Sequence, residues 1–161
     1  MSNNTTICAP GEMDVRAPRF IATITATILV AVLVLATINV PAAIALLSVQ
    51  AAVFGIAALA GPPRHPYGLI YAALVAPRLA PPTKCEPVPP LRFAQLIGFV
   101  MTTLGVIGFA LDLPVLAFGA TGFALVGAFF RAAFGICLSR RLYMLVNRLR
   151  TGEVPACCRK D

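Results

Sequence analysis

The residues of this chain that could do chemistry are few. Five are cysteines, at Cys8, Cys85, Cys137, Cys157 and Cys158. An odd number without regular spacing does not make a secreted disulfide framework, and free thiols fit a reducing compartment. Cys137 is followed closely by Arg140 and Arg141. Neighbouring cations lower a thiol's pKa and enlarge its reactive thiolate fraction, whereas the negative end of a helix dipole opposes this. Taken alone, Cys137 reads as an inert buried cysteine. Cys157 and Cys158 are adjacent in a basic tail, where such a pair can bind metal, exchange with a thioredoxin or accept a lipid. Spacing selects none of these.

Arg131 is the only base inside an apolar run. Placed below the end of its helix, it would share a depth with Thr27, Gln50 and Thr102 or Thr103 of other helices. Arg131, Gln50, Thr27 and Thr102 are thus a candidate intramembrane polar layer, the kind of feature that marks a ligand or ion site. The alternative is that Arg131 snorkels to the interface, because Leu113 to Phe130 is already nearly a full span. Asp112 sits at the opposite end of the same helix and is no partner. The single histidine, His65, lies among prolines, so no histidine-based metal cluster is expected. Neither a glycine-rich phosphate loop nor a nucleophile elbow nor a close carboxylate pair appears, which points away from an enzyme and from a cofactor.

The elements that must hold these residues are apolar. Of 161 residues, 59% are hydrophobic and 12% charged, against about 25% charged in an ordinary soluble domain. Phe20 to Gly61 contains no Asp, Glu, Lys or Arg, and Phe93 to Phe130 only Asp112. About 20 residues cross a bilayer, so each run is long enough for two helices. The expected class is an all-α membrane protein in one domain, with transmembrane helices over 19–38, 42–61, 93–111 and 113–137. Residues 1–18 form a tail, 62–92 a loop and 138–161 a basic tail with a helical extension. Within the loop, Tyr67 to Val75 is too short to span. It reads as an interfacial helix with Tyr67 and Tyr71 at headgroup level, or equally as a segment packed under the helix ends.

An offset of 73 residues lays Arg19-Phe20 on Arg92-Phe93 and Asn39-Val40-Pro41 on Asp112-Leu113-Pro114, which suggests a duplicated hairpin. Apart from Arg131, Lys and Arg lie in the two tails and the central loop, and the hairpin turns carry none. The positive-inside rule then places the protein in the plasma membrane with both termini cytoplasmic. It also accounts for most of the net charge of +7 without nucleic acid as a partner. Asn3 and Asn4 begin formal glycosylation sequons, which carry no meaning in the cytosol, and no cleavable signal peptide stands out. Ala120, Ala124, Ala128 and Ala132, with Gly119, Gly122 and Gly127, form a small-residue stripe for close helix packing. After Cys137, a basic amphipathic stretch with Arg140, Arg141, Arg148 and Arg150 is suited to anionic headgroups or to a cytosolic partner.

The segments DVRAPRF, HPYGLIYAALVAPRLAPP, EPVPPLRFAQLIGF and FRAAFGICLSRRLY together resemble a family of small actinobacterial integral-membrane proteins of unknown function. That family typically ends its last span with Cys-Leu-Gly-Cys and then Tyr, and its members are often associated with thioredoxin-like and sulfurtransferase proteins. Here Cys137, Leu138 and Tyr143 match, but Ser139 and Arg140 replace the glycine and second cysteine. A dithiol role would need Cys85, Cys157 or Cys158 for its second sulfur. Two functional expectations follow. One is a non-catalytic subunit or partner-binding scaffold in the bilayer. The other, drawn from the resemblance, is a thiol or sulfur relay through Cys137 with a thioredoxin-like partner.

Overall fold

The computed structural model describes residues 12–61, 64–79 and 85–134. Four long helices dominate it: α1 (Arg16–Ala36), α2 (Val40–Ala60), α4 (Val88–Ala110) and α5 (Pro114–Phe134). They run 21 to 23 residues with mean hydropathy of 1.7 to 2.3 over their most apolar windows. At 1.5 Å per residue each is at least about 31 Å long, enough to cross the hydrocarbon core. This is the expected all-α membrane fold of two hairpins. The basic C-terminal extension, with Arg140, Arg141, Arg148 and Arg150, lies outside the described residues, as do Cys137, Cys157 and Cys158.

Helix ends follow local chemistry. Asn39 caps α2, its side chain accepting from the Ala42 N–H at 3.1 Å, and Pro41 fills the first turn, where no N–H is required. In the other hairpin, Asp112 turns the chain with φ 52°, a left-handed conformation that Asp tolerates better than most residues. Helix α2 stops at Gly61, φ 87°. Arg92 reaches across from α4 and donates to the Leu59 carbonyl at 2.9 Å, satisfying one of the acceptors that a helix C-terminus leaves open. Two helix starts lie well ahead of the expected spans, and the other bounds that lie inside the described residues fall within two residues of them. Helix α1 starts at Arg16 rather than 19, and α4 at Val88 rather than 93, because Pro18, Pro89 and Pro90 are accommodated in first turns.

The helices form a four-membered ring. Neighbours within hairpins are α1–α2 and α4–α5, and neighbours between hairpins are α2–α4 and α5–α1. The apolar core (Leu29, Val32, Ala36, Ala43, Leu47, Phe109 and Ala117) fills the half nearest the two turns. Small residues set the spacing. A Cβ on Gly108 would lie 2.5 Å from the Ala117 backbone nitrogen, so α4 and α5 meet backbone to backbone there. A Cβ on Gly98 would strike the Phe54 ring of α2 at 2.8 Å. On the alanine stripe, Ala120 is buried and Ala124 packs on the core. Gly119, Gly122 and Gly127 instead look onto open space. The small residues of α5 therefore divide into a packed row and an unpacked one.

The duplication extends to the loops. The offset of 73 carries α1 onto α4 to within one residue at both ends, and α2 onto α5 to within one residue at their starts. It also carries strand β1 (Glu12–Asp14) onto strand β2 (Cys85–Pro87) residue for residue. These strands pair antiparallel, Glu12 with Pro87, Met13 with Glu86 and Asp14 with Cys85. Met13 and Glu86 are equivalent positions, so the ribbon is two-fold symmetric about that pair. Cys85 is disulfide-bonded, which corrects the expectation that all five thiols are free.

Between Gly61 and β2 runs an insert, described over residues 64–79, that includes helix α3 (Pro66–Ile70). It continues through a π turn at Tyr71–Val75 and a 3-10 turn at Ala76–Arg78, packed against α1. Leu69, Ile70 and Leu74 are exposed on its outer side, while its tyrosines turn inward.

Candidate functional site

The ring of helices is plugged by the insert at the end carrying β1 and β2. His65 comes first. Its side chain is fully buried, and its Nδ1 accepts the Tyr67 backbone N–H at 3.2 Å, capping the one-turn helix α3. An imidazole whose Nδ1 accepts a hydrogen bond carries its proton on Nε2. Burial holds the ring neutral, pushing its pKa from 6.5 down to about 4, with the Gln95 side chain opposing that shift slightly. Gln95, on α4, faces the imidazole, yet no bond of normal geometry reaches either the His65 Nε2 or the Gln95 Oε1.

Tyr67 stacks at a tilt on His65, ring centroids 5.3 Å apart, and extends into the bundle. Its hydroxyl donates to the Gln50 Oε1 of α2 at 2.9 Å. Burial raises the pKa of this phenol. Gln50 is 1% exposed, and its Nε2 has no partner. One turn on, Tyr71 is buried against Phe20, ring centroids 5.6 Å apart, and its hydroxyl meets the Asp14 Oδ2 at 3.4 Å. Asp14 also accepts the Arg16 N–H at 2.9 Å. Burial, and then the Asp14 charge, raise the Tyr71 pKa. The tyrosines thus act as struts between the insert and the spans, in keeping with the alternative of a segment packed under the helix ends.

Each span also buries one polar residue: Thr25 on α1, Gln50 on α2, Thr102 on α4 and Thr121 on α5. From the turn ends of their helices these lie about 16, 15, 12 and 10 Å deep at 1.5 Å per residue, which is the middle of the span. Thr102 bonds back to the Gly98 carbonyl at 2.8 Å, whereas the Thr25 and Thr121 hydroxyls have no partner. Gln50 and Thr102, two of the residues expected in an intramembrane polar layer, both belong to this buried mid-span group. Thr27 does not join it. It is exposed, with its hydroxyl returned to the Thr23 carbonyl at 3.0 Å. Arg131 is half-buried in the last described turn of α5, about 10 Å further along the axis than Gln50.

Sequence reasoning missed His65, Tyr67, Gln95, Thr25 and Thr121. The prolines around His65 signal a loop and say nothing about where that loop goes. The usable signal was Gln95, an amide three residues after Arg92 at the start of an apolar run. Chemically the cluster is neutral. His65 can donate from Nε2, but its only basic lone pair is taken by a backbone N–H, so it is not set up to abstract a proton. Among the described residues no three His, Cys, Asp or Glu side chains come together as metal ligands.

The family described as "Domain of unknown function (DUF4395)" matches residues 13–148 through its model, and the chain belongs to that family. No curated protein and no solved structure matches the chain.

Proposed function

We propose that this member of the DUF4395 family is a non-catalytic multi-pass subunit of the plasma membrane that docks a membrane partner along α5. The observation carrying this reading is the outer face of α5. Only 17% of its apolar window is buried, against 33% for α1 and for α2. Along that face, Gly119, Gly122 and Gly127 have nothing within 4 Å of a would-be Cβ, and Phe123, Val126 and Phe130 project beside them. An open apolar groove of about 610 Å³ between α4 and α5 adjoins it, lined by Met101, Leu104, Leu116, Gly119 and Phe123 among others. Small residues beside large ones let a second helix approach closely, the principal packing device where lipid removes the hydrophobic drive.

The charge distribution supports cytoplasmic termini. Arg16, Arg19, Arg64, Arg78, Arg92 and Arg131 all lie toward the end of the bundle that carries the insert, while the turn end has Asp112. By the positive-inside rule that end faces the cytoplasm, where exposed Arg19, Arg64, Arg78 and Arg92 meet anionic headgroups. Photo-crosslinking from Gly122 and Val126 in native membranes tests the docking, with Val30 of α1 as the control position. Adducts with a defined protein from α5 alone are expected. Recovery of a lone monomer, without adducts from either helix, would remove the proposal. The thiol-relay alternative through Cys137 rests on the family resemblance. It requires Cys137→Ser to change cellular sulfur or redox phenotypes, and unchanged phenotypes would dispose of it.

A further inference from the structure

We propose that Gln50, His65, Tyr67 and Gln95 form a binding site for an uncharged ligand whose polar end pairs a carbonyl oxygen with an N–H or O–H donor. The site is separate from the α5 face and does not depend on partner docking there. Its basis is an unspent hydrogen-bonding inventory. The His65 Nε2–H and the Gln50 NH2 are donors without acceptors, and the Gln95 Oε1 is an acceptor without a donor. Buried polar groups are nearly always paired, and leaving one unpaired is costly. An amide-like end group supplies the missing partners, its C=O taking the two donors and its own N–H reaching Gln95.

Three further observations shape the site. The cluster has no counterpart in the other hairpin: under the 73-residue offset, Gln50 falls on Phe123, which is exposed, and Gln95 on Ala22, which is apolar. Tyr67 holds both donors, its backbone N–H fixing the His65 tautomer and its hydroxyl fixing the Gln50 amide. No member of the cluster carries formal charge. A charged ligand enclosed there would lack a counter-ion, which low-dielectric surroundings penalise heavily. Gln50 and His65 are enclosed, while Gln95 is half-buried, so ligand reaches the cluster from the Gln95 side.

The chain contains a single histidine, which makes 15N-histidine labelling a one-residue reporter. The full-length protein in phosphatidylcholine nanodiscs would be titrated with octanamide, and in parallel with octylammonium and octanesulfonate. A saturable shift of the His65 Nε2 resonance with octanamide alone is expected. In Gln50→Leu and in Gln95→Leu the apparent affinity should fall about tenfold, the worth of one hydrogen bond. Far-UV circular dichroism checks that each variant retains its helices, and either variant suffices with the wild type. The proposal is overturned by no shift up to the octanamide solubility limit, by equal shifts from all three amphiphiles, or by undiminished affinity in the folded variants. A His65–Gln95 bond that closes directly and ignores the probes gives the first of these results. Crosslinking on α5 is unaffected by any of them, so the two proposals fail separately.

Discussion

Replacing Gly108 by alanine adds one methyl group where two backbones touch. The new Cβ would lie 2.5 Å from the Ala117 nitrogen, 2.8 Å from its Cα and 3.1 Å from its Cβ. Ordinary contact begins near 3.4 Å, so α4 and α5 must part by about 1 Å, a gap that forfeits a quarter to half of each dispersion contact along the seam. No flexible side chain can absorb the clash, because two of the three atoms struck are backbone. Overpacking of this kind costs about 1–3 kcal/mol, and the better helix propensity of alanine returns at most about 1 kcal/mol. The internal control is Gly122→Ala, on the same pair of helices but with nothing within 4 Å. Reversible unfolding in mixed micelles, followed by circular dichroism against rising SDS mole fraction, should show Gly108→Ala destabilised by about 1–2 kcal/mol and Gly122→Ala unchanged or slightly stabilised. Equal stability of the two variants would refute the backbone-to-backbone seam and with it the assignment of packed and unpacked small residues on α5.

Lowering pH should weaken the fold through His65. Its folded pKa, about 4, lies below the ordinary 6.5, so the unfolded chain binds the proton more readily, and stability is lost as pH falls from 6.5 through 4. The loss reaches about 2–3 kcal/mol at the acid end. The wild type should therefore lose more stability than His65→Gln over that window, and parallel losses would exclude the buried imidazole. Tyr67→Phe leaves the Gln50 Oε1 without its donor and should cost about 1–3 kcal/mol, measured in the same micelle titration; no change would mean that the Tyr67–Gln50 bond does not form. Asn39→Ala removes the α2 cap and should cost about 1 kcal/mol, with amide exchange accelerated first at Ala42. Unaltered exchange there would count against the cap.

The spans were legible because nothing but a bilayer suits apolar runs of that length, and the duplication because turn residues recur at a fixed offset. Facing was not legible. In helices apolar on every side, polarity does not mark the inner surface, so Thr25 and Thr27 are equivalent on paper. Two residues apart on a helix, they point about 200° apart, and only packing decides that Thr25 goes inside. The polar cluster was hidden for a different reason. Gln50, His65 and Gln95 are held by contacts far apart in sequence, and no periodicity encodes the path of a proline-rich insert back into the bundle. Prolines also misplaced the starts of α1 and α4, since a helix accepts them in its first turn as readily as a loop does.

The symmetric ribbon bears on how such a protein could have arisen and how it can be taken apart. A strand that pairs with its own equivalent gives the same edge it receives, so two copies of residues 12–61 contain every strand and helix contact of the ring: β1 with β1, α1 with the other copy's α2, and the reverse. In architecture the chain is two copies of one hairpin joined in a single polypeptide. Fusion frees each half to diverge, and among the described residues the segment 64–79 belongs to one half alone. It is there that His65 and Tyr67 enter the bundle.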